Sequence, residues 1–205
     1  MFKRKGPSGF GYGSSAEDVT KGLDLTGKTI LLTGSNSGIG HETLRVLAKR
    51  GAHVIAAART VEKAKAACDE VVGEATPVAC ELSEPASVID CVASVSALGR
   101  PLDAIICNAG IMALPKLQTA HGYELQFFTN HIGHFILATS LLDRLTDDGR
   151  VVMLSSDAHK GAPPEGIQFD NLDGSRGYSA WASYGQSKLA NLLFANHLAL
   201  SLIHI

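Results

Sequence analysis

The chain has 205 residues, 45% of them apolar and 19% charged, with a formal net charge of -2. That length supports one well-buried domain, two at most. There is no global basic field to hold a nucleic acid, and no apolar run reaches the roughly 18 residues needed to span a bilayer.

At the amino end, Lys3, Arg4 and Lys5 have no apolar stretch behind them, so they read as a solvated tail and not as a secretory signal. Residues 1–26 are rich in Gly and Ser (GPSGFGYGSS) and read as a flexible arm, with one domain over residues 27–205. KTILLT is a short buried strand, followed by a helix with Ile39, Thr43, Val46 and Leu47 on one face. AHVIAAA is a second strand, and a polar-faced helix runs from about Thr60 to Val72. TPVAC is the third strand, after which Ser83 is read as the N-cap of a helix with Pro85 in its first turn.

LDAIIC is the fourth strand. A long helix is expected over about His121 to Thr146, its inner face formed by Leu125, Phe128, Ile132, Phe135 and Ile136. RVVMLS is the fifth strand, and a final helix starts near Trp181 with Leu189, Leu192, Leu193 and Leu200 facing inward. Nearly continuous apolar strands alternating with helices mean an α/β fold, a parallel sheet covered on both faces. The connection from about Asp157 to Ala180 is long for a compact domain, and such loops are usually functional or disordered. Cys68, Cys80, Cys91 and Cys107 form no CxxC pair and read as reduced core thiols, which places the chain in the cytoplasm.

Gly34, Gly38 and Gly40 in LLTGSNSGIG sit where the first strand turns into the first helix. Three glycines there are also ordinary turn chemistry. Their place directly after a strand is what points to a pyrophosphate held at the helix N-terminus. The second strand runs out in Ala57, Ala58 and Arg59, where an acidic residue would accept ribose hydroxyls. A guanidinium at that tip pairs instead with a 2′-phosphate, favouring NADP over NAD, although it also reads as a solvated arginine closing a strand.

Tyr184 and Lys188 share a helix face at four-residue spacing. An ammonium at about 4 Å and an effective dielectric of about 20 favours a phenolate by roughly 4 kcal/mol, bringing a phenol toward the range where acid/base catalysis works. Such pairs are common on ordinary helices; the meaning lies in their company. Ser155 and Ser156 end the fifth strand at the ligand-binding edge of a parallel sheet, and Asn130 is a polar amide inside an apolar helix. His131 and His134 lack a third convergent ligand, so no metal site is read there. His159 reads as a solvent-facing loop residue, and Phe169, Tyr178 and Trp181 as either a roof over an apolar substrate or a local loop cluster.

TGSNSGIG, CNAG, NHIGHF, LSS and YGQSK occur in the order and approximate spacing of the short-chain dehydrogenase/reductase family, over about Asp18 to Leu200. The surrounding wording resembles the branch that holds retinol dehydrogenases, the WW-domain oxidoreductase and plant chloroplast-envelope relatives. The resemblance implies a Rossmann-type doubly wound sheet and an oxidoreductase. It would transfer a hydride between NADP and an alcohol, aldehyde or ketone on an apolar small molecule. It makes Tyr184 the proton donor or acceptor and has Lys188 depress the proton affinity of Tyr184 and bind the nicotinamide ribose. Ser156 would bond the substrate oxygen, Asn130 would support a relay water near the lysine, and Asn108 would steady the fourth strand. Gly34, Ser35, Asn36, Ser37, Gly38, Ile39, Gly40, Arg59, Asn108, Ala109 and Gly110 would hold the cofactor. So would Glu81 and Leu82, where the family usually has Asp-Leu to meet the adenine. A homodimer through the long fifth helix and the last one is in keeping with the family.

Family members continue past the Tyr-Lys helix with further strands and a substrate loop, whereas this sequence ends at SLIHI. Three accounts stand, in order: an incomplete gene product, a natural short form without activity, and a minimal working dehydrogenase. The alternative to catalysis is accordingly a non-catalytic NADP-binding or partner-binding form.

Overall fold

The computed structural model describes residues 6–202; Lys3, Arg4 and Lys5 of the basic run lie outside the described residues. Five parallel strands form the central sheet: β1 (Thr29–Thr33), β2 (His53–Ala58), β3 (Ala75–Ala79), β4 (Leu102–Cys107) and β7 (Leu145–Met153). Their order is β3-β2-β1-β4-β7, and the chain is an α/β protein of the Rossmann type. Every residue of β1 and β2 is buried, which is why these segments are almost wholly apolar.

Side chains alternate across the sheet. Ile30, Leu32, Val54 and Ala56 pack under α2 (Gly38–Lys49) and α3 (Val61–Asp69), against Leu44, Ala48 and Ala67. Leu31 and Ile55 face the opposite layer, formed by Val88, Cys91 and Val95 of α4 (Pro85–Ala97) and Leu137 of α6 (Gly133–Thr139).

Four local expectations are corrected. The N-cap of α4 is Glu84, because the Ser83 hydroxyl donates instead to Glu81 Oε1 at 2.8 Å. The expected long fifth helix does not begin at His121. His121 and Gly122, at φ 50° and 81°, turn a two-stranded hairpin, β5 (Thr119–Ala120) and β6 (Tyr123–Glu124). Only then does α5 (Leu125–Phe127) run through a π-turn (Phe128–Ile132) into α6, with Phe135 exposed. In α7 (Ala180–Leu202), Ala190, Asn191 and Leu198 are buried while Leu193 and Leu200 face outward, and Ile39 of α2 stands exposed. Tertiary packing selects these faces, and helical period alone does not.

Within the stretch read as a flexible arm, Ala16–Thr20 form a short helix, α1, with a Ser15–Asp18 capping box. Glu17 of α1 binds Arg45, Lys49 and Arg50 of the α2 region, fastening the segment to the domain. Among the described residues no helix is long and apolar enough to cross a membrane.

Candidate active site

At the carboxyl ends of β1 to β4 a groove of about 450 Å³ opens. Gly34, Asn36, Ser37, Ile39 and Gly40 line it from the β1–α2 turn, Arg59 from the end of β2, and Glu81 and Leu82 from beyond β3. Asn108, Ala109 and Gly110 line it from beyond β4. Ser35 is elsewhere: it is fully buried and its hydroxyl donates to the Ala57 carbonyl at 3.1 Å. Gly38, the first residue of α2, is not among the lining residues either. Ile111, Thr129 and Leu154 also line the groove and carried no signal in the sequence beyond their neighbourhood.

The turn is shaped to bring main chain close. A Cβ on Gly40 would lie 2.1 Å from the Gly34 carbonyl oxygen, so α2 can start this near β1 only with glycine. The N-cap residue Ser37 makes no side-chain cap bond, so the first-turn N–H groups of α2 have no capping side chain where Ser37, Ile39 and Gly40 line the groove. Bare helix N–H groups favour an anion such as a pyrophosphate. Arg59, at the other end, has no ion pair among the described residues. Glu81 lies beside it with Oε1 accepting from the Ser83 N–H and hydroxyl at 3.1 and 2.8 Å. These groups fit a dinucleotide along the groove.

The segment after β4 is held by Thr33. Its Oγ1 accepts from the N–H groups of Asn108 and Ala109, both at 3.0 Å, and Asn108 Nδ2 donates to the Thr33 carbonyl at 2.9 Å. Thr33 is not a residue that sequence reasoning singled out.

Tyr184, Lys188 and Asn130 converge behind one wall of the groove. Tyr184 is half-buried near the start of α7, edge-on to Trp181 with ring centroids 6.1 Å apart. Lys188 is buried, and its Nζ lies 5.7 Å from the Tyr184 ring centroid. No hydrogen bond joins the two side chains; the ammonium donates to the Leu154 carbonyl at 3.0 Å. Burial lowers the lysine pKa to about 8. Asn130, in the π-turn, is fully buried: Oδ1 accepts from the Ile111 N–H at 2.8 Å, and Nδ2 donates to the Ile111 carbonyl and Ser187 Oγ at 2.9 and 3.0 Å. Gly110 is where these parts meet the groove, since a Cβ there would lie 3.2 Å from Asn130 Oδ1 and 3.4 Å from Lys188 Nζ.

Ser156 caps a 3-10 turn (Asp157–Gly161), its hydroxyl accepting from the Ala158 N–H at 3.2 Å. That turn packs on α7 beside Tyr184: a Cβ on Gly185 would lie 2.6 Å from the Ala158 carbonyl oxygen. Ser155 points away, donating to the Lys188 carbonyl at 2.7 Å. The two histidines have separate partners. His134 bridges Thr33 Oγ1 and the Asn130 carbonyl, and His131 meets Asn191 Oδ1. His159 bonds back to the Ser156 carbonyl, and the Tyr178 hydroxyl donates to the Leu114 carbonyl at 2.6 Å, tying the long loop down. Phe169 is exposed.

Residues 28–204 match the family described as short chain dehydrogenase. A relative from Brassica napus, "Short-chain dehydrogenase TIC 32 B, chloroplastic", is 44% identical over 211 residues, covering 96% of this chain and 65% of its own. Retinol dehydrogenase 12 of Mus musculus is 40% identical over 187 residues, covering 88% of this chain and 58% of its own. This chain therefore spans about two thirds or less of the length of these relatives. The crystal structure of a Mycobacterium Paratuberculosis protein superposes with a TM-score of 0.80 at 40% identity, over 89% of this chain and 65% of that one. A metagenomic short-chain oxidoreductase in complex with NADP gives a TM-score of 0.67 at 26% identity, over 88% of this chain and 77% of that one.

Proposed function

Because this chain belongs to the short-chain dehydrogenase family, whose members use NAD or NADP, we propose that it is an NADP-dependent oxidoreductase acting on an alcohol/carbonyl pair of an apolar small molecule. The observation that carries the reading is the junction at Gly110, where the groove and the buried Asn130–Lys188 pair come within one Cβ of each other. When bound, the dinucleotide would supply or accept the hydride. The first-turn N–H groups of α2 would hold its diphosphate, Arg59 its 2′-phosphate, Glu81 and Leu82 its adenine end, and Lys188 its nicotinamide ribose.

Tyr184 would pass its hydroxyl proton to a carbonyl oxygen, or take one from an alcohol, with Ser156 bonding the same oxygen. The Lys188 ammonium, which a pKa of about 8 keeps mostly protonated at neutral pH, stands 5.7 Å from the centre of the Tyr184 ring. Trp181, 60% exposed and against Tyr184, would give an apolar substrate a wall. The exposed Leu193 and the Phe135–Phe194 ring pair form the face through which we expect a homodimer. All four cysteines are unpaired thiols, in keeping with a reducing, cytoplasmic setting; the chloroplastic setting belongs to the Brassica relative's name.

The test is a panel of aldehydes and ketones with NADPH. Tyr184→Phe should abolish turnover while the rise in NADPH fluorescence on binding persists. Arg59→Leu should weaken NADPH roughly tenfold or more and leave NADH little changed. Unchanged turnover in the first variant, or equal binding of both cofactors by the unsubstituted chain, would count against the reading. The non-catalytic alternative draws on the exposed Val152 on β7, the last strand in the sheet order. It gains if the chain binds NADPH and turns over nothing.

A further inference from the structure

Resting on that reading, we propose that Tyr178 is a positioning residue for the substrate. Oriented by Gln126 and Glu124, its hydroxyl holds the Ala113 turn beyond β4 against the segment that leads into Trp181 and Tyr184, and so fixes the spacing between the two apolar sides of the substrate entrance. The Tyr178 hydroxyl lies 2.6 Å from the Leu114 carbonyl, 64 residues away in the sequence, and 3.1 Å from Gln126 Nε2. A carbonyl only accepts, so the phenolic proton points at Leu114 and the phenol oxygen accepts from Gln126. Partial burial and the Glu124 carboxylate raise the Tyr178 pKa above its ordinary value, so that proton stays in place.

The amide that serves the phenol is itself oriented. Gln126 is fully buried beside Leu125, which lines the groove. Besides the phenol, its Nε2 reaches Glu124 Oε1 at 3.0 Å and the Ala180 carbonyl at 3.3 Å. An ionised carboxylate has nothing to donate, so the amide nitrogen and not its oxygen faces Glu124. Glu124 is buried and is fixed in turn by the Phe127 N–H, which donates to Oε2 at 2.8 Å. The donors therefore run in one direction, from Gln126 through Tyr178 to Leu114.

Both ends of this chain of bonds meet a demand. Ala113, at φ 50°, is one of two non-glycine residues in the left-handed region among the described residues, a conformation its surroundings must hold. It lies two residues past Ile111 in the groove wall, and Leu114 is the next residue, so the Tyr178 bond closes on the strained turn itself. At the other end, Ala180 is the first residue of α7, where a helical carbonyl accepts from the N–H four residues on, that of Tyr184. Gln126 thus grips the turn that carries Trp181 and Tyr184. Two large exposed apolar side chains flank the junction: Met112, two residues before Leu114, and Trp181, three after Tyr178. These are the sides of the entrance whose spacing the phenol sets.

Tyr178→Phe keeps the ring, deletes the hydroxyl and leaves Tyr184, Lys188 and Ser156 untouched. The released junction opens, so a narrow substrate loses contact with one side while a wider one keeps both. Aldehyde binding is measured with NADP+, which cannot deliver a hydride, by quenching of Trp181, the single tryptophan. The benzaldehyde dissociation constant should rise roughly fivefold or more and that of 2-naphthaldehyde by less than about twofold, with NADPH affinity within about twofold. With NADPH, the KM for benzaldehyde should rise in the same proportion while kcat stays within about threefold. In the chain without ligand, hydrogen exchange should speed up about tenfold over residues 111–118 and 176–184 and stay unchanged in the sheet. If Tyr178→Phe does not fold, Gln126→Met removes the donor to the same oxygen and carries the same measurements. An unchanged ratio of the two aldehyde affinities overturns the proposal. So does unchanged local exchange, or a loss of aldehyde binding that only parallels lost NADPH binding or global stability. A parent chain that binds no aldehyde defeats the functional reading; the exchange measurement, which needs no ligand, then decides whether the phenol holds the junction.

Discussion

Replacing Thr33 by Val keeps the shape of the side chain and deletes one oxygen on which three groups depend. Asn108 N–H also reaches the Ile106 carbonyl at 3.0 Å, so it keeps a partner. The Ala109 N–H has no other acceptor among the described residues, and His134 Nε2 loses its donor in a fully buried position. Two orphaned groups at roughly 1–3 kcal/mol each give about 4 kcal/mol, a large share of the roughly 5–15 kcal/mol a domain has. Thr33→Ser retains the hydroxyl and loses a buried methyl, at about 1 kcal/mol. Urea unfolding followed by the single tryptophan, Trp181, measures both. NADPH affinity should fall in the Val variant too, since the Asn108–Gly110 wall loses its anchor. A Val variant no less stable than the Ser variant would refute the assignment of this hydroxyl.

Acid stability should carry the signature of His134. Its folded pKa of about 4 lies below the unfolded value near 6.5, so the unfolded chain binds the proton first. The contribution is complete above pH 6.5 and is lost as pH falls toward 4, about 3 kcal/mol over that window; His134→Gln should flatten the slope in pH-dependent urea titrations. Gly185→Ala forces the 3-10 turn that carries Ser156 off α7, because the new Cβ would meet main chain at 2.6 Å. It should cost about 1–3 kcal/mol and reduce kcat by roughly a hundredfold, and unfolding and turnover measured together check it. Glu17→Gln should free α1, since Arg45, Lys49 and Arg50 lose one carboxylate, whose pKa the Lys49 and Arg45 cations hold near 2. Limited proteolysis should then cut ahead of β1 faster, and added salt should produce the same effect in the unsubstituted chain.

The parallel sheet was legible because strands buried on both faces must be apolar throughout, as in β1 and β2. The glycine turn and the Tyr184–Lys188 spacing were legible because close main-chain approach and shared helix faces are local demands. Asn130 stood out as an amide among apolar neighbours, but its partners Ile111 and Ser187 lie 19 and 57 residues away, beyond the reach of any period. The π-turn was hidden for a related reason: its extra residue is stabilised by side chains from β1 and α7, not by its own sequence. The hairpin at His121–Gly122 was missed because a left-handed histidine ahead of glycine lies inside a run that scans as helix. The outward Leu193 and Leu200 show that an apolar stripe does not by itself say which side of α7 meets the sheet.

The most direct measurement is deuterium transfer from NADPH labelled on the reactive nicotinamide carbon to an aryl aldehyde, read by mass spectrometry of the alcohol. The account predicts labelled alcohol with the unsubstituted chain, and none with Tyr184→Phe while that variant still binds NADPH. Label arriving undiminished in the variant, or never arriving although NADPH is bound, would contradict it.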